Sequence, residues 1–420
     1  MNEKLLQYLW NYKIFKSFDF TASEGTSIEI LDFGKWNFDS GPDFLMAKIK
    51  INGLVLVGNI ELHVKSSDWI FHNHSGNPEF ENLILHAVFQ HDVEIEELKS
   101  KNIPTLELQN FLDENAIQNY QKIIANQNFI ACENVFDAKK IPFGFFEESL
   151  LKKLDEKSLE IEYSLQKFQN NYEAVFFHYL AYAFGLKVNA QIFKQVAESL
   201  DFSTVNKIRQ NPTQLEALFF GLNNWLEIIE DEQTEIWKRE FEFLKSKFTL
   251  PQITFHAKFS KLRPPNFPTI RLSQLAALYH QNQNLFSKMM NAKDVEEIYS
   301  VFSKVKATEY WDHHFSFGKI STVESEKYLT KDFIDLVILN AVLPFKYTYQ
   351  KNHNENIGDE ILSFYRNLTP EKNTIIDEWK KLKLNPENAS ETQALLYHFK
   401  NFCDAKNCLN CTIGLHLLKN

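Results

Sequence analysis

The apolar pattern of this chain changes period once, near Pro142, and that change limits what it can fold into. Before it, apolar residues alternate in short runs, as strands require; after it, they recur every three to four positions, as helices require. Phe44 to Ile51 and Leu54 to Lys65 flank Asn52-Gly53, a dipeptide suited to the two left-handed positions of a tight hairpin turn. Ser27 to Phe33, Leu83 to Gln90 and Thr105 to Gln109 read as further strands. Helices are predicted at Glu3 to Phe15 and Asp113 to Asn126, the second capped by Asp113, and Ser66 to Asn82 reads as a loop.

Beyond Pro142 the spacing predicts helices at Phe145 to Phe168, Tyr172 to Phe184, Ala190 to Leu200, Thr213 to Ile229 and Thr234 to Phe248. After the break Leu262 to Pro268 it resumes at Thr269 to Asn291, then at Asp332 to Leu343, Ile357 to Asn367, Thr374 to Leu382 and Glu391 to Phe402. A length of 420 residues exceeds what one core usually organises. The expected class is therefore α+β: a small N-terminal mixed or antiparallel sheet domain over residues 1–130, then a larger, mostly α-helical domain over 131–420.

The start of the chain lacks the pattern of a secretory leader and no run of about 18 apolar residues occurs, so the expectation is a cytoplasmic chain with no membrane partner. The net charge of -10 is unevenly spread. Residues 1–130 carry a net of -8, whereas the segment 243–293 holds eight Lys and Arg and no acid. Within it Lys258, Lys261, Arg263 and Arg271 surround Pro264-Pro265-Asn266-Phe267-Pro268 and alternate with Phe255, Phe259 and Phe267. Basic groups meet phosphate and aromatics stack on unpaired bases, so these four residues are the nucleic-acid-binding candidates. The aromatics are read instead as part of a rigid turn leading into a helix whose face is Leu272, Leu275, Ala276 and Tyr279.

Residues 41–92 concentrate the chemistry. Five of the thirteen histidines, His63, His72, His74, His86 and His91, occur there with Asp43 and Glu61. Strand residues two apart share a face, so Glu61, His63 and Lys65 point the same way. The five histidines are candidate ligands for zinc or iron, since neutral imidazole suits both. Cys403, Cys408 and Cys411 form C-x4-C-x2-C, and with Cys132 they make the count for zinc or an iron–sulfur cluster.

The Pro42-Asp43 and Glu61-x-His63 pair resembles the core of the restriction-endonuclease-like PD-(D/E)xK phosphodiesterases, in which two carboxylates hold a divalent cation beside a basic side chain; the resemblance implies Asp43 and Glu61 as ligands for Mg²⁺ or Mn²⁺, with His63 or Lys65 positioning water. The chain departs from that pattern by placing His63 where a lysine is usual. The wider set GPDF, GNIELHVKSSDWIFHNH, LILHAVFQHD, RPPNFPTIRLSQLA and CDAKNCLNCTIG resembles the bacterial family known as domain of unknown function 2851, which implies no activity. Two functions stay open at this level. One is a metal-dependent hydrolase, foremost a phosphodiesterase or nuclease; the other is a non-catalytic, metal-stapled scaffold or nucleic-acid-binding protein whose His and Cys clusters are structural.

Overall fold

The structure is a computed structural model describing all residues except 38–39, 126–128, 252–254, 354–357 and 420. It is α+β, with a sheet-bearing N-terminal region followed by helices. Two compact units divide the chain: residues 1–145, 377–384 and 398–420 form the first, and 146–376 with 385–397 form the second. The first unit thus takes in two C-terminal segments, a long-range recruitment that no local pattern encodes.

In the first unit, helix α1 (Glu3–Asn11) starts where the Asn2 side chain accepts a hydrogen bond from the Leu5 N–H at 2.8 Å. Leu5, Leu6, Leu9 and Trp10 are buried, and the Trp10 indole N–H donates to the Phe33 carbonyl at 3.0 Å. Seven strands follow: β1 (Phe20–Thr21), β2 (Ser27–Asp32), β3 (Lys35–Trp36), β4 (Phe44–Ile51), β5 (Leu54–Lys65), β6 (Leu83–Gln90) and β7 (Thr105–Glu107). Their order is β1-β2-β4-β5-β6-β7, with β3 also paired to β4. The β4–β5 turn is the predicted Asn52-Gly53 hairpin, with φ of 49° and 81°. Such angles suit Asn and Gly and few other residues.

From β5 the chain returns to pair β6 in parallel, which demands a crossover. The loop predicted over Ser66 to Asn82 supplies it and is not a plain loop: it contains the one-turn helix α2 (Asp68–Phe71) and a 3₁₀ turn, Pro78–Phe80. Four residues are too few to show a helical period in sequence. The Ser66 hydroxyl donates to Asp92 at 2.9 Å and contacts the Val93 carbonyl, tying the start of the crossover to the end of β6. Trp69 and Phe80 then bury against Leu83, Ile95 and Leu98. Helix α3 (Glu96–Ser100) and helix α4 (Glu114–Ala125) complete this part, and Asp113 accepts from the Asn115 N–H at 2.8 Å as its cap. Asn126 and Ile357, ends of two predicted helices, lie outside the described residues.

The second unit is helical around an aromatic-rich core that includes Phe177, Phe219, Phe220, Trp237 and Trp311. The predicted run Thr269 to Asn291 is two helices, Pro268–Gln281 and Leu285–Asn291, because Asn282 leaves the helical backbone at φ -128°. The helix predicted to stop at Leu343 instead runs to Asn352, through a widened π turn at Ile338–Val342. That turn accommodates Pro344, which has no N–H to give. Among the described residues no helix is long and apolar enough to cross a membrane.

Candidate metal centre

The register of the sheet brings the site together. β5 and β6 pair in parallel with Glu61 opposite His86, so these side chains share a face with His63 two residues on. The crossover helix α2 then delivers His72 and His74 to the same place. One ring nitrogen each from His63, His72 and His74 lies within 4.8 Å of the others. The three grade outward, His63 buried, His74 partly so and His72 exposed. Glu61 Oε1 faces this group, 3.2 Å from His74 Nε2 and 3.6 Å from His63 Nε2. Neither contact is a hydrogen bond, and both nitrogens are buried without a hydrogen-bond partner.

Asp43 is tied down rather than aimed at the imidazoles. Its N–H donates to Glu61 Oε2 at 3.0 Å, while its Oδ2 accepts from the Leu62 N–H at 3.0 Å and its Oδ1 from Gln7 Nε2 at 2.7 Å. This reciprocal clamp between the start of β4 and the middle of β5 leaves Glu61 one oxygen for the histidines. Burial, and then the two carboxylates' mutual repulsion, raises the pKa of Asp43, and burial raises that of Glu61. The other charged groups acting on them are Glu3 and His74, not a lysine or arginine.

His63 Nδ1 lies 2.9 Å from His86 Nε2. Burial first, and the neighbouring imidazoles second, push His63 down to about 2 and His86 to about 3, so both rings are neutral. Neutral imidazole is the ligand form. If His63 presents Nε2 to a cation, its proton sits on Nδ1 and is donated to His86 Nε2. His86 lies behind His63, against its Nδ1, and is not among the three imidazoles that close on one another. Trp69 and Phe80 wall the rings, with the Phe80 and His74 centroids 4.2 Å apart. Expected outcome: His86→Ala lowers metal affinity by about 10- to 100-fold while the metal stoichiometry at saturation stays unchanged, measured by titration of chelator-stripped protein.

Two more of the predicted residues stand away from the three imidazoles: His91, a candidate ligand, and Lys65, a candidate for positioning water. His91 lies five residues from His86, an odd step that turns a strand side chain to the other face. It lines a separate cleft of about 400 Å³ with Ser23, Glu24 and Lys99. Lys65 is exposed beyond the end of the buried face, where its N–H donates to Asp68 at 2.8 Å. Glu3 and Gln7, by contrast, belong to the site and escape a reading based on strands. They stand four apart on α1, so they share a face. Glu3 is half-buried, its pKa raised by burial, and it interacts with His72 and His74.

A family model, described as a protein of unknown function (DUF2851), matches residues 3–374. The chain belongs to that family. No curated protein and no solved structure matches this DUF2851 member. The matched segment contains the whole histidine site and Cys132, and ends before Cys403, Cys408 and Cys411. In this DUF2851 chain the four cysteines are buried in the first unit and line one pocket, apart from the histidine group.

Of the basic candidates, Lys258, Lys261 and Arg263 are exposed in the second unit. Arg271 is not available to a polyanion. It is buried, its guanidinium stacks 3.5 Å from the centroid of Phe333, and it donates to Gln274 at 2.8 Å and to Asn266 at 2.6 Å. Phe255 and Phe267 pack against the core, and Phe259 stacks edge-on to Phe267, which excludes them as ready base-stacking platforms.

Proposed function

We propose that this DUF2851 member is a metal-dependent hydrolase acting on phosphodiesters, with nucleic acid as the foremost substrate class. The observation that carries the reading is the closing of three imidazoles, one nitrogen each, to within 4.8 Å of one another, with a buried carboxylate oxygen 3.2 Å from His74 Nε2 and 3.6 Å from His63 Nε2, both of which lack a hydrogen-bond partner. Buried polar atoms are rarely left unpaired, and neutral imidazoles with a carboxylate are the donor set of Zn²⁺, Mn²⁺ or Fe²⁺ more than of Mg²⁺. His63, His72, His74 and Glu61 would hold the ion.

A cation there supplies Lewis acidity for a phosphoryl oxygen and for water. The remaining work falls to side chains. Asp43 holds Glu61 in place, and His86 orients His63. Glu3 stands beside His72, at the exposed edge of the group, with a raised pKa suited to taking a proton from attacking water. The resemblance to the PD-(D/E)xK core supports the phosphodiester assignment through the pairing of Asp43 and Glu61 on adjacent antiparallel strands. Lys258, Lys261 and Arg263 are the exposed cations proposed to meet a polyanion.

The test is hydrolysis of a chromogenic phosphodiester, single- and double-stranded DNA, and RNA by chelator-stripped protein resupplied with Mn²⁺, Zn²⁺, Fe²⁺ or Mg²⁺. Cleavage restored by a metal that binds the histidine group is expected. A protein that binds metal tightly at that group but cleaves none of these substrates supports a structural site, the reading that the complete burial of His63 would favour.

A further inference from the structure

Every cysteine of the chain reaches one place. Cys132 lies in the turn after α4, and Cys403, Cys408 and Cys411 follow about 270 residues later, yet all four are buried around a single pocket of the first unit. Its other walls, Ala131, Trp379, Phe402 and Ile413 among them, are apolar. Buried cysteines often serve as small apolar side chains. Two contacts argue for sulfur acting as a ligand instead.

Cys411 Sγ accepts a hydrogen bond from the Gly414 N–H at 3.1 Å and lies 3.0 Å from His398 Nε2. The Gly414 N–H, and His398 in the tautomer protonated at Nε2, are the contacts that a ligating sulfur accepts. Trp379, fully buried in the same wall, keeps an indole N–H with no hydrogen-bond partner. An unsatisfied donor beside four sulfurs is matched by a sulfide or thiolate acceptor.

Spacing separates the two metals that suit four thiolates. Zinc holds sulfur at about 2.3 Å in a tetrahedron, which sets each pair of sulfurs roughly 4 Å apart. Among the described residues, no three of the cysteine sulfurs close to within 4.8 Å of one another; the group that meets that limit is His63, His72 and His74. All four cysteines nevertheless line one pocket, so they ring a common centre at longer range. A wider ring is the geometry of a polynuclear core, whose irons lie between the centre and the thiolates.

We infer that Cys132, Cys403, Cys408 and Cys411 ligate an iron–sulfur cluster of the four-iron type, which staples the end of the chain to the first unit. This assignment is independent of the histidine site, since acid-labile sulfide is diagnostic of the cluster alone.

The experiment is anaerobic purification of the full chain, followed by analysis of iron, sulfide and zinc, the visible spectrum, and electron paramagnetic resonance after reduction. Brown protein with about four iron and four sulfide per chain is expected. Cys403→Ser and Cys132→Ser should each lose most of the sulfide, whereas His74→Ala should keep it. If a cysteine variant fails to fold, the wild-type sulfide content still decides. Zinc bound at the cysteines without sulfide overturns the inference, and so does a colourless protein that takes up no cluster on anaerobic incubation with iron and sulfide.

Discussion

Glu61→Gln should leave a folded protein that has lost metal-dependent hydrolysis by roughly 10³-fold or more. Lewis-acid stabilisation contributes several kcal/mol, and each 1.36 kcal/mol is a factor of about ten in rate. Glu61 is the carboxylate whose Oε1 faces His63 and His74, while its Oε2 accepts the Asp43 N–H. An amide placed with its oxygen toward Asp43 keeps the clamp but turns an NH₂ toward the imidazoles. The clamp survives, and the charge that attracts the cation is gone. Circular dichroism should therefore be unchanged while bound metal and turnover fall together. Unchanged turnover in a variant that still binds metal would remove Glu61 from the site.

The second large effect lies in the other unit and concerns stability. Glu216 is fully buried, and its Oε1 accepts hydrogen bonds from the Ser273 hydroxyl, from Thr308 Oγ1 at 2.7 Å and from Trp311 Nε1 at 3.2 Å. Glu216→Ala strands three buried donors and opens a cavity. A cost of about 3 kcal/mol or more follows, which for a unit of this size lowers Tm by roughly 10 °C. Burial, only partly offset by those hydrogen bonds, raises the Glu216 pKa from 4.5 to about 7.

A raised acid binds its proton more tightly in the folded state, so its contribution is complete below about pH 4.5 and is lost as pH rises through about 7. Glu216→Gln, which mimics the protonated acid, should keep most of the stability and abolish that part of the pH dependence. Denaturant melts of wild type and both variants across this range check it. A Gln variant as unstable as the Ala variant would contradict it.

Strand pairing and much of the site were legible because both follow from short periods. Asn52-Gly53 located the hairpin, and the two-residue step placed Glu61 beside His63. The same step distinguishes His86 from His91, which the density of histidines alone does not. What sequence could not show is convergence over distance. His72 and His74 reach the strands through a crossover of one helical turn, and Glu3 and Gln7 arrive on a helix whose sequence signal is its apolar stripe, not its polar face. Arg271 looked like part of a basic face because its segment lacks acids, but the helix Pro268–Gln281 is buried on nearly all sides, so a positive charge there serves the interior. The run from Thr269 to Asn291 broke at Asn282, where a polar residue takes an extended backbone that apolar spacing does not register.

Metal titration of chelator-stripped protein tests most directly the proposal that His63, His72, His74 and Glu61 hold a cation. Wild type should bind one Zn²⁺ or Mn²⁺ at this group, a site absent in His74→Ala and weakened in His86→Ala. A wild type that binds neither ion, or a His74→Ala protein that binds as tightly as wild type, would contradict it.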